Sequence, residues 1–307
     1  MTIAIIGSGF CGLAACYHLL DQGYSVTLFD PLGVGGGASG VASGLLHPYP
    51  GREGRYSWKA NEGIAATRQL LEVAQRTLQQ PVFNDAGILR LKPLLTDYPD
   101  VVPYSSTGYL IQSGITVYTK LYLQGLWLAC KAKGAVMYQV KIDRLEQLKD
   151  YDLVVIAAGS GVAHFEECRD LKLRYLKGQI LTCKAPVISR SIVGSGYVAM
   201  SETPGICYLG STYERAFESE APDRALAMKE LQPKMAELLP GINEVLECRA
   251  GVRVMNASHY VPLIKNLDER TWVITGMGSR GLLYHAYYAK LLTNALSEKR
   301  AIETLKV

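Results

Sequence analysis

Glycines at 7, 9 and 12 fall in the run Gly7-Ser8-Gly9-Phe10-Cys11-Gly12, after an apolar stretch at 3–6 and before a helical pattern. This spacing suits phosphate chemistry. Gly7 permits the tight turn that ends a buried strand, and Gly9 lets backbone approach a pyrophosphate. Gly12 lets the next helix pack on that strand, so that its unpaired N-terminal amides meet phosphate charge. Asp30 closes the following apolar strand, 18 residues beyond Gly12, where a carboxylate can accept hydrogen bonds from a ribose diol. Strand, turn, helix, strand and acid together predict a dinucleotide site.

Two further glycine-rich stretches extend the prediction. Residues 33–44 are too rich in glycine for regular structure and too apolar for a solvated linker, so they must fold around something. Their amides and the hydroxyls of Ser39 and Ser43 are available to phosphate or polyol oxygens. The turn Gly276-Met277-Gly278-Ser279-Arg280-Gly281 follows a strand and opens a helix, again aiming amides above a sheet. Such a set suits a long, bent cofactor. FAD, with a ribityl chain and isoalloxazine ring still to hold, accounts for it better than a nicotinamide dinucleotide.

Other chemistries lack their residues. Cysteines at 11, 16, 130, 168, 183, 207 and 248 are odd in number, without CxxC spacing or a histidine cluster. They predict no metal site and no disulfide framework, but small buried residues in a reducing compartment, and Cys11 at the helix start reads as a packing residue. No nucleophile–base pair of the hydrolase kind is visible. His47, just past the 33–44 loop, and His259, just before Tyr260-Val261-Pro262, read as structural, with cofactor attachment or proton transfer as the alternative.

The elements that must position these groups alternate between strand and helix. Residues 11–22 read as the first helix, and 56–79 as a second, since Ala65, Ala66, Leu70, Leu71, Ala74 and Leu78 recur near a 3.6-residue period. A strand is expected at 87–91, proline-bearing coil at 93–103, and a helix at 117–133 stopped by Gly134. Strand character returns at 136–142 and in the apolar run 153–159, which rejoins the first sheet. From 172 to 253 shorter strands surround one helix at 222–239, the pattern of an antiparallel domain. The strand at 272–275 and a helix at 282–296 close the chain. The dinucleotide half therefore takes 1–80, 115–165 and 255–307, and a substrate half takes 81–114 and 166–254.

With 307 residues, 49% of them hydrophobic, the chain can bury two cores, and no run approaches the roughly 20 apolar residues of a membrane span. Its N-terminal strand is already used by the nucleotide motif rather than by a signal sequence, so a cytoplasmic protein is expected. A net charge of +4 argues neither for nor against nucleic-acid binding. Between 169 and 190, however, Arg169, Lys172, Arg174, Lys177, Lys184 and Arg190 face only Asp170 in sequence. Either a solvated strand face or a surface that meets phosphates explains this run.

Seven segments together resemble the D-amino-acid-oxidase-like family of FAD-dependent amine oxidoreductases. They are IAIIGSGFCGLAACYHL with Asp30, GGASGVASGLLHP from Gly36, DLVVIAAG from Asp152, KGQIL from Lys177, LGSTYE from Leu209, RAGVRV from Arg249 and GMGSRGL from Gly276. The resemblance spans nearly the whole chain. It implies an α/β fold in which a Rossmann-like FAD-binding domain interleaves with an antiparallel α+β substrate domain, as in D-amino-acid oxidase and glutathione reductase. Within the family the flavin loop and C-terminal turn are most similar to the oxidase half of the tRNA-modifying enzyme MnmC. That likeness implies oxidation of the carboxymethylaminomethyl group on a wobble uridine of tRNA to an aminomethyl group, with release of glyoxylate. A free glycine, sarcosine or D-amino-acid oxidase is the enzymatic alternative, and a flavin-binding RNA-interaction module without turnover is the alternative of another class. The chain carries no fused methyltransferase half, so a separate methyltransferase partner is expected; no membrane partner is.

The resemblance also assigns residues. Gly7, Gly9, Phe10, Cys11 and Gly12, then Asp30 and Pro31, are expected along the adenosine and diphosphate. Gly37, Ala38, Ser39, Ser43, Gly44 and Leu45 belong to the flavin loop. Val140, Ala158 and Gly159 come from the middle of the chain, and Gly278, Ser279, Arg280, Gly281 and Leu282 from the last turn. Arg253 is the expected anchor of a substrate carboxylate, through two parallel hydrogen bonds. Arg280 is expected beside the flavin, stabilising its reduced anion or meeting the carboxylate, or else bracing the turn. Lys177 is expected to face the flavin or tRNA phosphate, and Tyr213 to line the substrate cavity. Tyr284, Tyr287 and Tyr288 read as packing residues or as platforms for a flipped-out base. Because the cofactor carries the chemistry, positioning should outweigh acid–base catalysis.

Overall fold

The computed structural model describes residues 1–298 except 52, 95 and 107. Thr2–Ile6 alternates its side chains between two cores, as a strand covered on both faces must. Ile3 and Ile5 join a cluster with Leu13, Leu70, Leu126 and Leu292, while Ala4 and Ile6 join one with Val154, Phe165 and Val273. Around this strand a six-stranded sheet runs Leu263–Asn266, Thr271–Thr275, Leu153–Ile156, Thr2–Ile6, Ser25–Phe29, Val136–Tyr138. All neighbours are parallel except the edge strand Leu263–Asn266. The apolar runs from the beginning, middle and end of the sequence thus share one sheet.

Helices Phe10–Asp21, Ala60–Leu78, Thr119–Ala132 and Gly281–Glu298 pack together around the first of these cores. They approach at glycines. A Cβ on Gly63 would lie 2.3 Å from the carbonyl oxygen of Leu283, and one on Gly125 would lie 2.7 Å from that of Ala74.

A second, eight-stranded sheet runs Glu244–Asn256, Leu173–Lys184, Ile206–Gly210, Tyr197–Met200, Ser191–Val193, Ile88–Arg90, Gly108–Ile111, Val101–Ser105. It is antiparallel except where Ile88–Arg90 meets Ser191–Val193. Leu181, Cys183, Val198, Cys207 and Leu209 pack with the helix Arg224–Leu238. The period of two then turns Gly178, Ile180, Tyr197 and Gly210 to the opposite face, which floors a cavity. A small sheet of Leu45–Leu46, Ile115–Val117 and Phe83–Asn84 completes the fold, an α/β architecture with interleaved parallel and antiparallel parts.

Three local expectations change. The 33–44 stretch contains a helical turn, Ala38–Val41, pressed so closely on the long strand Glu244–Asn256 that a Cβ on Gly251 would lie 2.9 Å from the Cα of Ala38. The supposed coil at 93–103 ends in the strand Val101–Ser105, and Pro103 is tolerated because this strand is the sheet edge. The second helix starts at Ala60 rather than 56, because Lys59 takes the left-handed conformation (φ 52°) and Tyr56 packs on Tyr49 and Tyr98 instead. Residues 299–307 of the expected dinucleotide half lie outside the described residues. Among the described residues no helix is long and apolar enough to cross a membrane.

Candidate active site

A cavity of about 890 Å³ is lined by the carboxyl ends of the parallel strands and by the open face of the eight-stranded sheet. At its first end the backbone is bare where a side chain could not fit. Gly7 has φ 107° and a Cβ there would lie 2.3 Å from the carbonyl oxygen of Ala157; at Gly12 the clash is with the oxygen of Gly7, at 1.9 Å. Gly9 cannot cap the helix it precedes. Ser39 supplies the cap from the glycine loop, its Oγ accepting from the Phe10 amide at 3.0 Å. Asp30 accepts from the Ser8 amide at 2.8 Å and the Leu32 amide at 2.9 Å, one bond on each carboxylate oxygen, which leaves lone pairs on both. A bare-backbone cradle beside a helix start and a carboxylate fits a dinucleotide.

Gly7, Gly9, Phe10, Cys11 and Asp30 line the cavity, as do Gly37, Ala38, Ser39, Ser43, Gly44 and Leu45. So do Ala158 and Gly159, and the turn residues Gly278, Ser279, Arg280, Gly281 and Leu282. Gly12 does not; it lies beneath, at the helix–strand contact. Pro31 and Val140 also fall outside the lining. Val140 is 45% exposed because its strand stops at Tyr138 and the chain turns out of the sheet. Burial pushes the Cys11 thiol up to about 12, so it stays protonated beside the cradle.

At the other end Arg253 is built into the sheet. Gly178 and Gly251 face each other across strands Leu173–Lys184 and Glu244–Asn256. The guanidinium of Arg253 lies over Gly178, where a Cβ would meet Nη2 at 1.7 Å. Nη2 donates to Ser211 Oγ and to the carbonyl of Thr212, both at 3.3 Å. The ring of Tyr213, 53% exposed, has the guanidinium carbons of Arg253 and Arg215 at 5.9 and 5.7 Å from its centroid. Arg280 lines the same cavity from the last turn, and its charge partly offsets the burial that raises the neighbouring Tyr284 phenol.

Tyr197, which sequence reasoning passed over, belongs to this group. Its hydroxyl lies over Gly210, where a Cβ would come within 2.3 Å of it. Burial raises the phenol, opposed by hydrogen bonds to Ser43 and Ser211 and by the charge of Arg253. A tyrosine in a strand carries no local signature, but its place just after the turn Gly194-Ser195-Gly196 and opposite Gly210 could have marked it.

Lys177 departs from expectation. The alternation that turns Gly178 inward turns Lys177 away, so it is outside the lining, 4% exposed, with Nζ 3.7 Å from Glu214. It can reach neither a ligand in the cavity nor phosphate at the surface. The rest of the 169–190 run is likewise not one face: Lys184 pairs with Glu244 at 2.7 Å, Arg169 with Glu166 at 3.1 Å, and Arg190 lies over the Tyr104 ring. Tyr284 and Tyr288 are buried in the helical core, so neither can stack on a base, and Tyr287 packs on Trp58. His47 lines the cavity, and burial with Arg90 nearby brings it down to about 4. His259 lies outside the lining, beside Asn256 at 3.3 Å. All seven thiols are free, and among the described residues no cluster of three or more His, Cys, Asp or Glu could hold a metal.

Comparison with known proteins bears on this arrangement. The chain is 24% identical over 279 residues to a D-amino acid oxidase of Dugesia ryukyuensis, covering 82% of each protein. It is 25% identical over 321 residues to the tRNA 5-methylaminomethyl-2-thiouridine biosynthesis bifunctional protein MnmC of Maricaulis maris. That match takes in 96% of this chain but 52% of the relative, so the chain spans about half the length of such bifunctional proteins. In fold it is similar to glycine oxidase from Geobacillus kaustophilus, with TM-score 0.81 and 18% identity over 98% of this chain and 95% of the other. The profile of the family described as FAD dependent oxidoreductase (DAO) matches residues 2–295, and the chain belongs to that family.

Proposed function

We propose that this chain oxidatively cleaves the C–N bond of a secondary amine bearing a carboxylate, and that this amine is the carboxymethylaminomethyl group of a 5-substituted uridine, with or without 2-thio, in tRNA. The products are the aminomethyluridine and glyoxylate. The observation that carries the reading is the Arg253 guanidinium held over Gly178 inside the cavity, with Arg280 and the Tyr197 hydroxyl lining the same space. Such a guanidinium donates two parallel hydrogen bonds to a carboxylate. FAD would be held by the cradle at Gly7 and Gly9, by Asp30, by the Ser39 to Leu45 loop and by the turn at 278–282. When bound, it supplies the acceptor for the hydride leaving the carbon beside nitrogen, and water hydrolyses the resulting imine. The chain's own residues orient the amine and exclude water, with Tyr213 and Tyr197 as walls.

Similarity to MnmC over nearly the whole chain supports the tRNA substrate, and a separate methyltransferase would then act on the aminomethyl product. The likeness to glycine oxidase and to a D-amino acid oxidase supports a second reading, oxidation of free glycine, sarcosine or a D-amino acid. Incubation of the flavin-loaded protein with tRNA carrying the carboxymethylaminomethyl group decides between them. Release of glyoxylate together with aminomethyluridine is expected; glyoxylate or another oxo acid from free amino acids alone would overturn the tRNA substrate.

A further inference from the structure

Two stretches marked in the sequence, KGQ at 177–179 and STYE at 211–214, are only half used by the cavity. They lie side by side as extended segments. Glu214 exchanges both backbone hydrogen bonds with Lys177, at 2.9 and 3.0 Å, and the Thr212 amide donates to the carbonyl of Gln179 at 3.1 Å. Alternation then divides 211–214 between two faces: Ser211 and Tyr213 line the cavity, while Thr212 and Glu214 do not.

The face turned from the cavity carries a polar network. Glu214 Oε1 accepts from the Thr212 hydroxyl at 2.7 Å and from Gln179 Nε2 at 2.9 Å, and its Oε2 stands 3.7 Å from the Lys177 ammonium. Thr212 Oγ1 also accepts from the Gln179 amide at 2.9 Å. Gln179 Oε1 in turn accepts at 2.6 Å from the amide of Asp223, the residue that caps the helix Arg224–Leu238. Lys177, Gln179 and Thr212 are all buried. A network so placed holds its segments in one arrangement, because removing either charge leaves the other buried without a partner.

The cavity face of the same segment sets the Arg253 guanidinium. Nη2 donates to Ser211 Oγ and to the Thr212 carbonyl, and the Tyr213 ring centroid lies 5.9 Å from the guanidinium carbon. A shift of 211–214 is therefore passed to Arg253. We infer that Glu214 is a positioning residue for the substrate carboxylate: paired with Lys177 and gripped by Gln179 and Thr212, it fixes 211–214 and thereby the place of the guanidinium over Gly178. The inference rests on the proposed reading of Arg253 as the carboxylate anchor. It also gives Lys177, which cannot reach a ligand, the task of balancing a buried charge.

The FAD-loaded wild type, Glu214→Gln, and Glu214→Gln combined with Lys177→Met test it. Glutamine keeps the shape of Glu214 but strands the Lys177 ammonium, and methionine then removes that charge. Crystal structures are expected to show the guanidinium moved by about 1 Å or more in Glu214→Gln and returned in the double variant. Acetate, titrated against the flavin's visible band, is expected to bind about tenfold more weakly to Glu214→Gln than to wild type, and to recover in the double variant. A guanidinium that stays in place, or a lower thermal midpoint with acetate binding unchanged, marks the network as merely structural and overturns the inference. Thr212→Val, which loosens the grip on Glu214 without altering either charge, decides the matter if Glu214→Gln does not fold: weaker acetate binding restored by Thr212→Ser is expected, and wild-type binding overturns the inference. If acetate binds wild type and Arg253→Ala equally, or neither, the carboxylate anchor and the proposed function fail, and the crystal structures still decide whether Glu214 sets the guanidinium.

Discussion

Gly178 matters for the space it leaves. A methyl group there would meet the Arg253 guanidinium at 1.7 Å, and the flexible end of the arginine, not the sheet, would give way. Gly178→Ala is therefore expected to keep its thermal midpoint and its yellow FAD while kcat/KM falls about 10- to 100-fold, because the carboxylate anchor moves off its geometry. Arg253→Ala removes the anchor altogether. It should retain flavin but lose about 2 to 4 kcal/mol of transition-state stabilisation, read as kcat/KM for a carboxylate-bearing amine. Unchanged turnover in either variant would remove Arg253 from the site.

At the scale of elements, the turn before the last helix is held by close packing beneath it. Gly63 lets the helix Ala60–Leu78 touch the backbone at Leu283, and Thr67 Oγ1 donates to the carbonyl of Leu282 at 2.7 Å. Gly63→Leu would wedge these helices apart, and a loss of about 2 to 3 kcal/mol is expected in urea unfolding, with weaker flavin retention because Gly281 and Leu282 line the cavity. The parallel strands and the Gly7 turn were legible in sequence because their requirements are local: an apolar run, a positive φ, a helix that must pass close. The second sheet was less so. Its KGQ segment was visible, but which of Lys177 and Gly178 faces inward is set by a register with Val252 and Gly251 that no local pattern contains. For the same reason Lys177 was misassigned and Tyr197 missed. Val140 lies outside the cavity lining because its strand ends early at Tyr138, and the edge strand at 101–105 was hidden by Pro103.

On the scale of the whole molecule, a buried histidine ties two helices together under the cavity. His285 is fully buried, with Nδ1 3.0 Å from the carbonyl of Gly281 and Nε2 2.6 Å from the Tyr122 hydroxyl. A carbonyl only accepts, so Nδ1 carries the proton and Nε2 accepts from Tyr122. Burial brings this imidazole from 6.5 down to about 4. As pH falls below about 6.5 the unfolded chain takes up a proton that the folded chain refuses, so stability declines until about pH 4 and levels off below it. The contribution is on the order of 3 kcal/mol. The urea midpoint should drop across this window, and the drop should shrink in His285→Gln; a pH dependence identical in both proteins would assign it to other groups.

The central claim, that a family FAD cradle and the Arg253 anchor serve one amine substrate, is tested most directly by anaerobic bleaching of the flavin's visible band. The candidates to compare are tRNA carrying carboxymethylaminomethyluridine, glycine, sarcosine and D-alanine. Bleaching by the modified tRNA, lost in Arg253→Ala, is the result the account predicts. Bleaching by a free amino acid alone would contradict the tRNA substrate, and a flavin that no amine reduces would contradict the account itself.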